Sequence, residues 1–220
     1  MKVFISDIIR KKYPDLHIAA LTCRVKNNIT SDALWAEIDA ECKRIISTCK
    51  LEDINKRPAI LATRKAYKVL GKDPNRYRPS AEALCRRIIR GLPLYRVSTL
   101  VDLINLISLH SGFSIGSFDA DKIQGDVVLG VGTENDLFEA IGRGLLNIDG
   151  LPVYRDAIGG IGTPTSDNER TKISDDTTNL LMIINGYNGS ADFPEAIDLS
   201  KKLLEKYAFG EDFNVEIFTH

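Results

Sequence analysis

The sequence predicts an α+β fold: helices packed on a β-rich body. Two observations carry this. Apolar residues recur at helical spacing through residues 31–111, and short strand-like pieces separated by glycine turns follow Phe113. Strands and helices do not alternate regularly, which argues against a doubly wound parallel sheet.

Leu16–Val25 is β-branched and partly alternating and reads as a strand. Ser31 then caps a helix whose apolar face is Leu34, Ile38, Cys42, Ile45 and Cys49. Pro58 opens a second helix that Gly71 closes. The turn-rich stretch from Lys72 to Pro79 marks an internal boundary, giving an N-terminal α/β segment over residues 1–75, packed on the core, and a main unit over 76–220. Ser80–Arg90 forms a helix with Leu84, Ile88 and Ile89 inside and Arg86, Arg87 and Arg90 outside. Thr99 and Asp102 make a capping-box-like start to a helix ending at Ser111-Gly112. That helix is apolar nearly all round, so it should be buried, leaving Asp102 and Asn105 as a polar stripe that needs partners or a pocket. Strands are expected at Val127–Val131, Leu137–Ile141, Leu180–Asn185 and Phe213–Phe218, with a helix over Asp192–Tyr207.

The 220 residues are 44% hydrophobic and 27% charged, the composition of an ordinary folded domain. The apolar runs are too short to span a bilayer, and no signal-peptide pattern opens the chain. Four cysteines without C-x-x-C spacing suggest neither a disulfide framework nor a metal site, so the expected setting is the cytoplasm, with no membrane partner, metal or cofactor.

Charge is segregated. Lys56–Arg96 carries twelve bases and two acids, a net of +10, while the rest holds 17 bases and 28 acids, a net of −11. Such asymmetry fits a polyanion partner on one face, and equally a pair of solvated helices whose acid partners lie elsewhere in the fold. Few aromatics interleave, so the segment resembles a phosphate-tracking surface rather than a base-stacking one.

Catalytic constellations are sparse. His110 ends a buried helix, where a capping or core role is expected; His17 precedes a strand, and His220 ends the chain. The run from Ile158 to Gly162 is followed by no helical pattern, so it reads as a glycine strand closely approached by backbone or ligand rather than a phosphate loop.

The stretch Val97–Asp126 resembles the B3/B4 domain of the phenylalanyl-tRNA synthetase beta subunit. Val101, Asp102, Asn105, Gly112, Phe118, Asp119, Asp121, Lys122, Ile123 and Gly125 fit its V-D-x-x-N helix and F-D-x-D-K-I-x-G segment. Gly159-Gly160-Ile161 and Thr177–Met182 resemble its G-G and T-x-N-V-L-L segments, so the resemblance spans about residues 78–190. The chain is much shorter than such a subunit and is similar to stand-alone B3/B4 proteins.

In the family this module hydrolyses tyrosine wrongly attached to phenylalanine tRNA. The resemblance implies a pocket region containing Asp102, Asn105, Gly159, Gly160 and Asn179. It places the family's editing histidine on Gly116 and its tyrosine-reading glutamate on Ile183. Neither residue can move a proton or accept the tyrosine hydroxyl. Asn185, on the same strand face and roughly 7 Å beyond Ile183, is a candidate for reading another substrate.

Three functions therefore compete. The first is a tRNA- or other RNA-binding module with reduced editing chemistry, contacting the polyanion through Arg78, Arg86, Arg87, Arg90 and Arg96. The second is a trans-editing hydrolase of changed specificity, using Asn105, Asn185 and the backbone amides of Gly159-Gly160. The third is a protein that binds an amino-acid-like small molecule.

Overall fold

The computed structural model describes residues 1–189 and 191–219. In chain order the elements are β1 (Val3–Ile5), α1 (Asp7–Lys12), β2 (His17–Arg24), α2 (Asp32–Thr48), α3 (Pro58–Val69), α4 (Ser80–Ile89) and α5 (Thr99–Ser111). Then come β3 (Ile115–Asp119), β4 (Val127–Val131), β5 (Glu139–Ala140), β6 (Gly144–Leu145), β7 (Pro152–Arg155) and β8 (Gly160–Gly162). The chain ends with β9 (Asn179–Gly186), α6 (Phe193–Ala208) and β10 (Glu211–Phe218). The fold is α+β, as expected.

Two four-stranded sheets organise it. One runs β10-β2-β9-β3, antiparallel throughout; the other runs β1-β4-β7-β8. The eight-residue strand β9 shows how one sequence serves two cores. Leu180, Met182 and Ile184 point at the helices α2, α5 and α6. Leu181 and Ile183 point the other way, with Phe118, onto Val127, Leu129, Tyr154 and Ile161 of the second sheet. Both faces of the strand are buried, so its run of apolar residues is nearly continuous. The layers are helices, sheet, sheet.

Residues 1–75 are woven into these layers. β2 lies between β10 and β9, β1 pairs in parallel with β4, and α2 packs on α5. The 75/76 boundary falls in the turn between α3 and α4.

The helix ends follow local chemistry. The Ser31 hydroxyl accepts the Leu34 N–H at the start of α2, and α3 begins on Pro58. α5 spans the expected residues and stops where Gly112 adopts φ 82°, its N–H donating to the Ser108 carbonyl. Its start corrects the expected box: Ser98 occupies the cap position, and Asp102 reaches back to the Val97 N–H. Only Glu139–Ala140 of the expected 137–141 strand is paired, in a small hairpin with β6. No helix among the described residues is long and apolar enough to cross a membrane.

Candidate functional site

A cavity of about 440 Å³ opens where α4, α5 and the free edge of β3 meet the 163–173 loop. Val101, Ile104, Ile115, Leu84 and Ile173 make its apolar wall. Asn105 and Ser108 of α5, Ser117 of β3, and Thr163 and Asp167 of the loop supply polar groups. This size and mixture suit a small ligand.

The loop is built to hold its shape. The Thr163 hydroxyl accepts the N–H groups of Thr165 and Ser166 and donates to the Ser166 carbonyl. Tyr67 Oη lies 2.8 Å from Thr165 Oγ1, and the Ser80 N–H donates to the Pro164 carbonyl, pinning the loop to α3 and α4. Beyond the turn, Asp167 Oδ2 accepts the Ser117 N–H at 3.2 Å, along the edge of β3 that β9 does not use. Burial pushes the Asp167 carboxyl up to about 8, against the lowering effect of that hydrogen bond.

The residues singled out from sequence are not all brought together. Asn105 faces the cavity. Asp102, one turn earlier, is buried and structural: it accepts from Thr30 Oγ1 at 2.5 Å and from the Val97 N–H. Burial raises its carboxyl above the usual range. Asn179 donates to Asp121, outside the cavity lining. Asn185 is buried between the sheets, accepting from Tyr154 Oη at 2.5 Å.

Gly116 and Ile183 are direct partners across β3 and β9, on the sheet face opposite Ser117. A Cβ on Gly116 would come within 2.9 Å of the Phe118 ring, and one on Gly162 within 2.5 Å. Gly160 is similarly covered by Phe138, whereas Gly159 has nothing within 4 Å of a Cβ position. Gly160–Gly162 is thus the expected glycine strand, and aromatic rings are what approach it.

The arginines divide. Glu82, fully buried, receives Arg64 Nη1 at 2.8 Å and Arg86 Nε at 2.7 Å, with Arg78 Nε at 3.6 Å. Arg86 is consequently an internal partner and not a free surface cation, and Arg78 leans on the same carboxylate. Arg87 donates to the Pro93 carbonyl and stacks 4.2 Å from the Tyr95 ring. Arg96 is exposed over Trp35 and 3.4 Å from Asp32, and Arg90 is exposed. His110, expected to be capping or core, lies on the surface between Glu195 and Glu41. His220 lies outside the described residues.

Asp167 and Ser117 were not singled out in the sequence. Fifty positions separate them, and no local pattern in Thr163–Asp167 signals a site. Glu82 did leave a signal: a single acid on the 80–90 helix, four residues after Arg78 and four before Arg86.

The B3/4 domain family model matches residues 62–202. Among solved structures, the chain is similar to an N-terminal fragment of the phenylalanyl-tRNA synthetase beta-subunit from Pyrococcus horikoshii, with a TM-score of 0.50 and 14% identity. That alignment covers 96% of this chain and 50% of the fragment, so the chain spans half the length of the fragment it matches, and the likeness is one of fold. No curated protein matches the sequence. With more than half of its residues inside the family match and its two-sheet fold shared with that fragment, the chain belongs to the B3/4 domain family.

Proposed function

We propose that the chain is an RNA-associated binding module, tRNA being the expected RNA, that accommodates an amino-acid-like group in the α4–α5 cavity without the family's tyrosine-editing groups. The carrying observation is the shared use of one helix. Ser80 and Leu84 of α4 line the cavity, while Arg87 and Arg90 occupy the end of the same helix; Val97, also lining it, follows the exposed Arg96. A polyanion tracked by these three arginines would lie beside the cavity mouth. A cytoplasmic setting with four free cysteines fits this reading.

The test is tRNA binding measured against salt. Arg87→Glu with Arg90→Glu should weaken binding at least about tenfold and flatten its salt dependence. Unchanged affinity overturns the RNA reading. A second reading, hydrolysis of an aminoacyl ester, is favoured by one feature alone: Asp167, an ionisable carboxyl inside the cavity. Deacylation of a panel of mischarged tRNAs separates the two, since the binding reading expects none.

A further inference from the structure

Two ionisable side chains line the cavity, Asp167 and Lys172, and their situations differ. Lys172 is exposed, and its ammonium is already held by Glu169. Asp167 is half-buried, and among the described residues no cation lies within ion-pair distance of its carboxylate. The backbone makes room for it. A Cβ on Gly162 would stand 2.7 Å from Asp167 Oδ1, and one on Gly116 would stand 3.8 Å away. The same cavity is lined by the Ser108 hydroxyl, the Asn105 amide and an aliphatic wall. A carboxyl set in such a recess with a single N–H donor lacks a countercharge, which burial makes costly.

We propose that the cavity binds a primary amine with an aliphatic body and no carboxylate, the Asp167 carboxylate receiving its ammonium. An ammonium brings three donors and the missing charge. The Ser108 hydroxyl and the Asn105 amide oxygen, which line the same cavity, are acceptors for the donors that the carboxylate leaves free. A free amino acid carries a second charge, a carboxylate, into the same recess. Asp167 repels it there, and Lys172, neutralised by Glu169, does not compensate. The amide of the same amino acid keeps the ammonium and the body and drops that charge. This inference rests on the reading of the cavity as a ligand site and narrows it to one chemical class.

The test is calorimetric titration of the full chain at pH 7 with L-leucinamide, L-leucine and N-acetyl-L-leucinamide. Leucinamide should bind, and the other two at least about tenfold more weakly. Asp167→Asn, shown to be folded by circular dichroism, should lose at least about tenfold in leucinamide affinity. A second measurement needs no variant: titrations in two buffers of different ionisation heat should show a proton released on leucinamide binding, as the cation displaces the Asp167 proton. Equal affinity for leucine and leucinamide, unaltered binding by the folded variant, or no binding of any probe at millimolar concentration overturns the proposal. A tRNA titration of the same preparation tells which idea has failed. Retained tRNA binding leaves the RNA module standing without its amine site, and loss of both removes both.

Discussion

Gly116 and Ile183 face each other as paired residues of β3 and β9, and the Phe118 ring fills the space that a side chain on Gly116 would enter. These are the two positions where the family resemblance puts the editing histidine and the tyrosine-reading glutamate. Both lie in the packed layer between the sheets, with Ile183 and Phe118 fully buried. Gly116→His should therefore fail to restore tyrosine editing. A Cβ 2.9 Å from the ring forces Phe118 to move, at a cost of about 1–3 kcal/mol. Urea unfolding measures the loss; a variant of full stability that deacylates tyrosyl-tRNA would contradict it.

Glu82 gathers Arg64 and Arg86 of the basic segment into the interior, with Arg78 at its edge. Replacing it with Gln leaves Arg64 and Arg86 without their buried counter-charge, which should cost about 3–5 kcal/mol. The reversal Arg86→Glu should destabilise for the same reason, because it sets two carboxylates against each other in a buried place. Arg90→Glu, on an exposed side chain, should stay within about 0.5 kcal/mol of the parent. Thermal melts of the three variants check the order. Equal stability of Arg86→Glu and Arg90→Glu would refute the division of the arginines into internal and surface groups.

Asp102 and Asn105 sit one turn apart on α5 and should behave in opposite ways. Asp102→Ala orphans the Thr30 hydroxyl and the Val97 N–H and should cost about 1–3 kcal/mol. Asn105→Ala removes a cavity-lining amide and should leave stability within about 0.5 kcal/mol while weakening any cavity ligand. Denaturant unfolding paired with leucinamide titration separates them, and a large stability loss in Asn105→Ala would place that residue in the framework instead.

The same pair shows how far the sequence could be read. α5 was legible end to end because a long apolar period, a polar start and a C-terminal glycine all agree. β9 was legible for a similar reason, its apolar run being long enough to declare itself. β1 and β7 are three and four residues long, too short to show a period, and β8 was legible only through its glycines. β3 contains Gly116 and Ser117, which weaken a strand pattern, and its position comes from pairing with β9, not from local preference. Of the expected site, Asn105 was legible as a polar residue on a buried helix. Asp167 was not, because its meaning depends on a recess assembled from four distant segments. The charge run was legible as a run but not as a surface, since Glu82 turns part of it inward.

Asp167 should leave a pH signature in the stability of the empty protein. Its carboxyl is raised to about 8 by burial, whereas in the unfolded chain it titrates near the ordinary aspartate value of about 4. Below pH 4 both states hold the proton and the group costs nothing. As pH rises from about 4 to about 8 the unfolded chain releases its proton first, so stability attributable to this group is progressively lost; above 8 the loss is complete. Asp167→Asn has no proton to release. Its melting temperature should match the parent near pH 4 and exceed it by several degrees at pH 8. Comparing the two proteins cancels Lys172 of the cavity wall and its partner Glu169, which both retain. Adding L-leucinamide at pH 8 should then raise the melting temperature of the parent and not of the variant, by mass action on the folded state. A melting gap that stays constant from pH 4 to pH 8 would show that Asp167 titrates as an ordinary exposed carboxyl, with no uncompensated charge for an amine to satisfy.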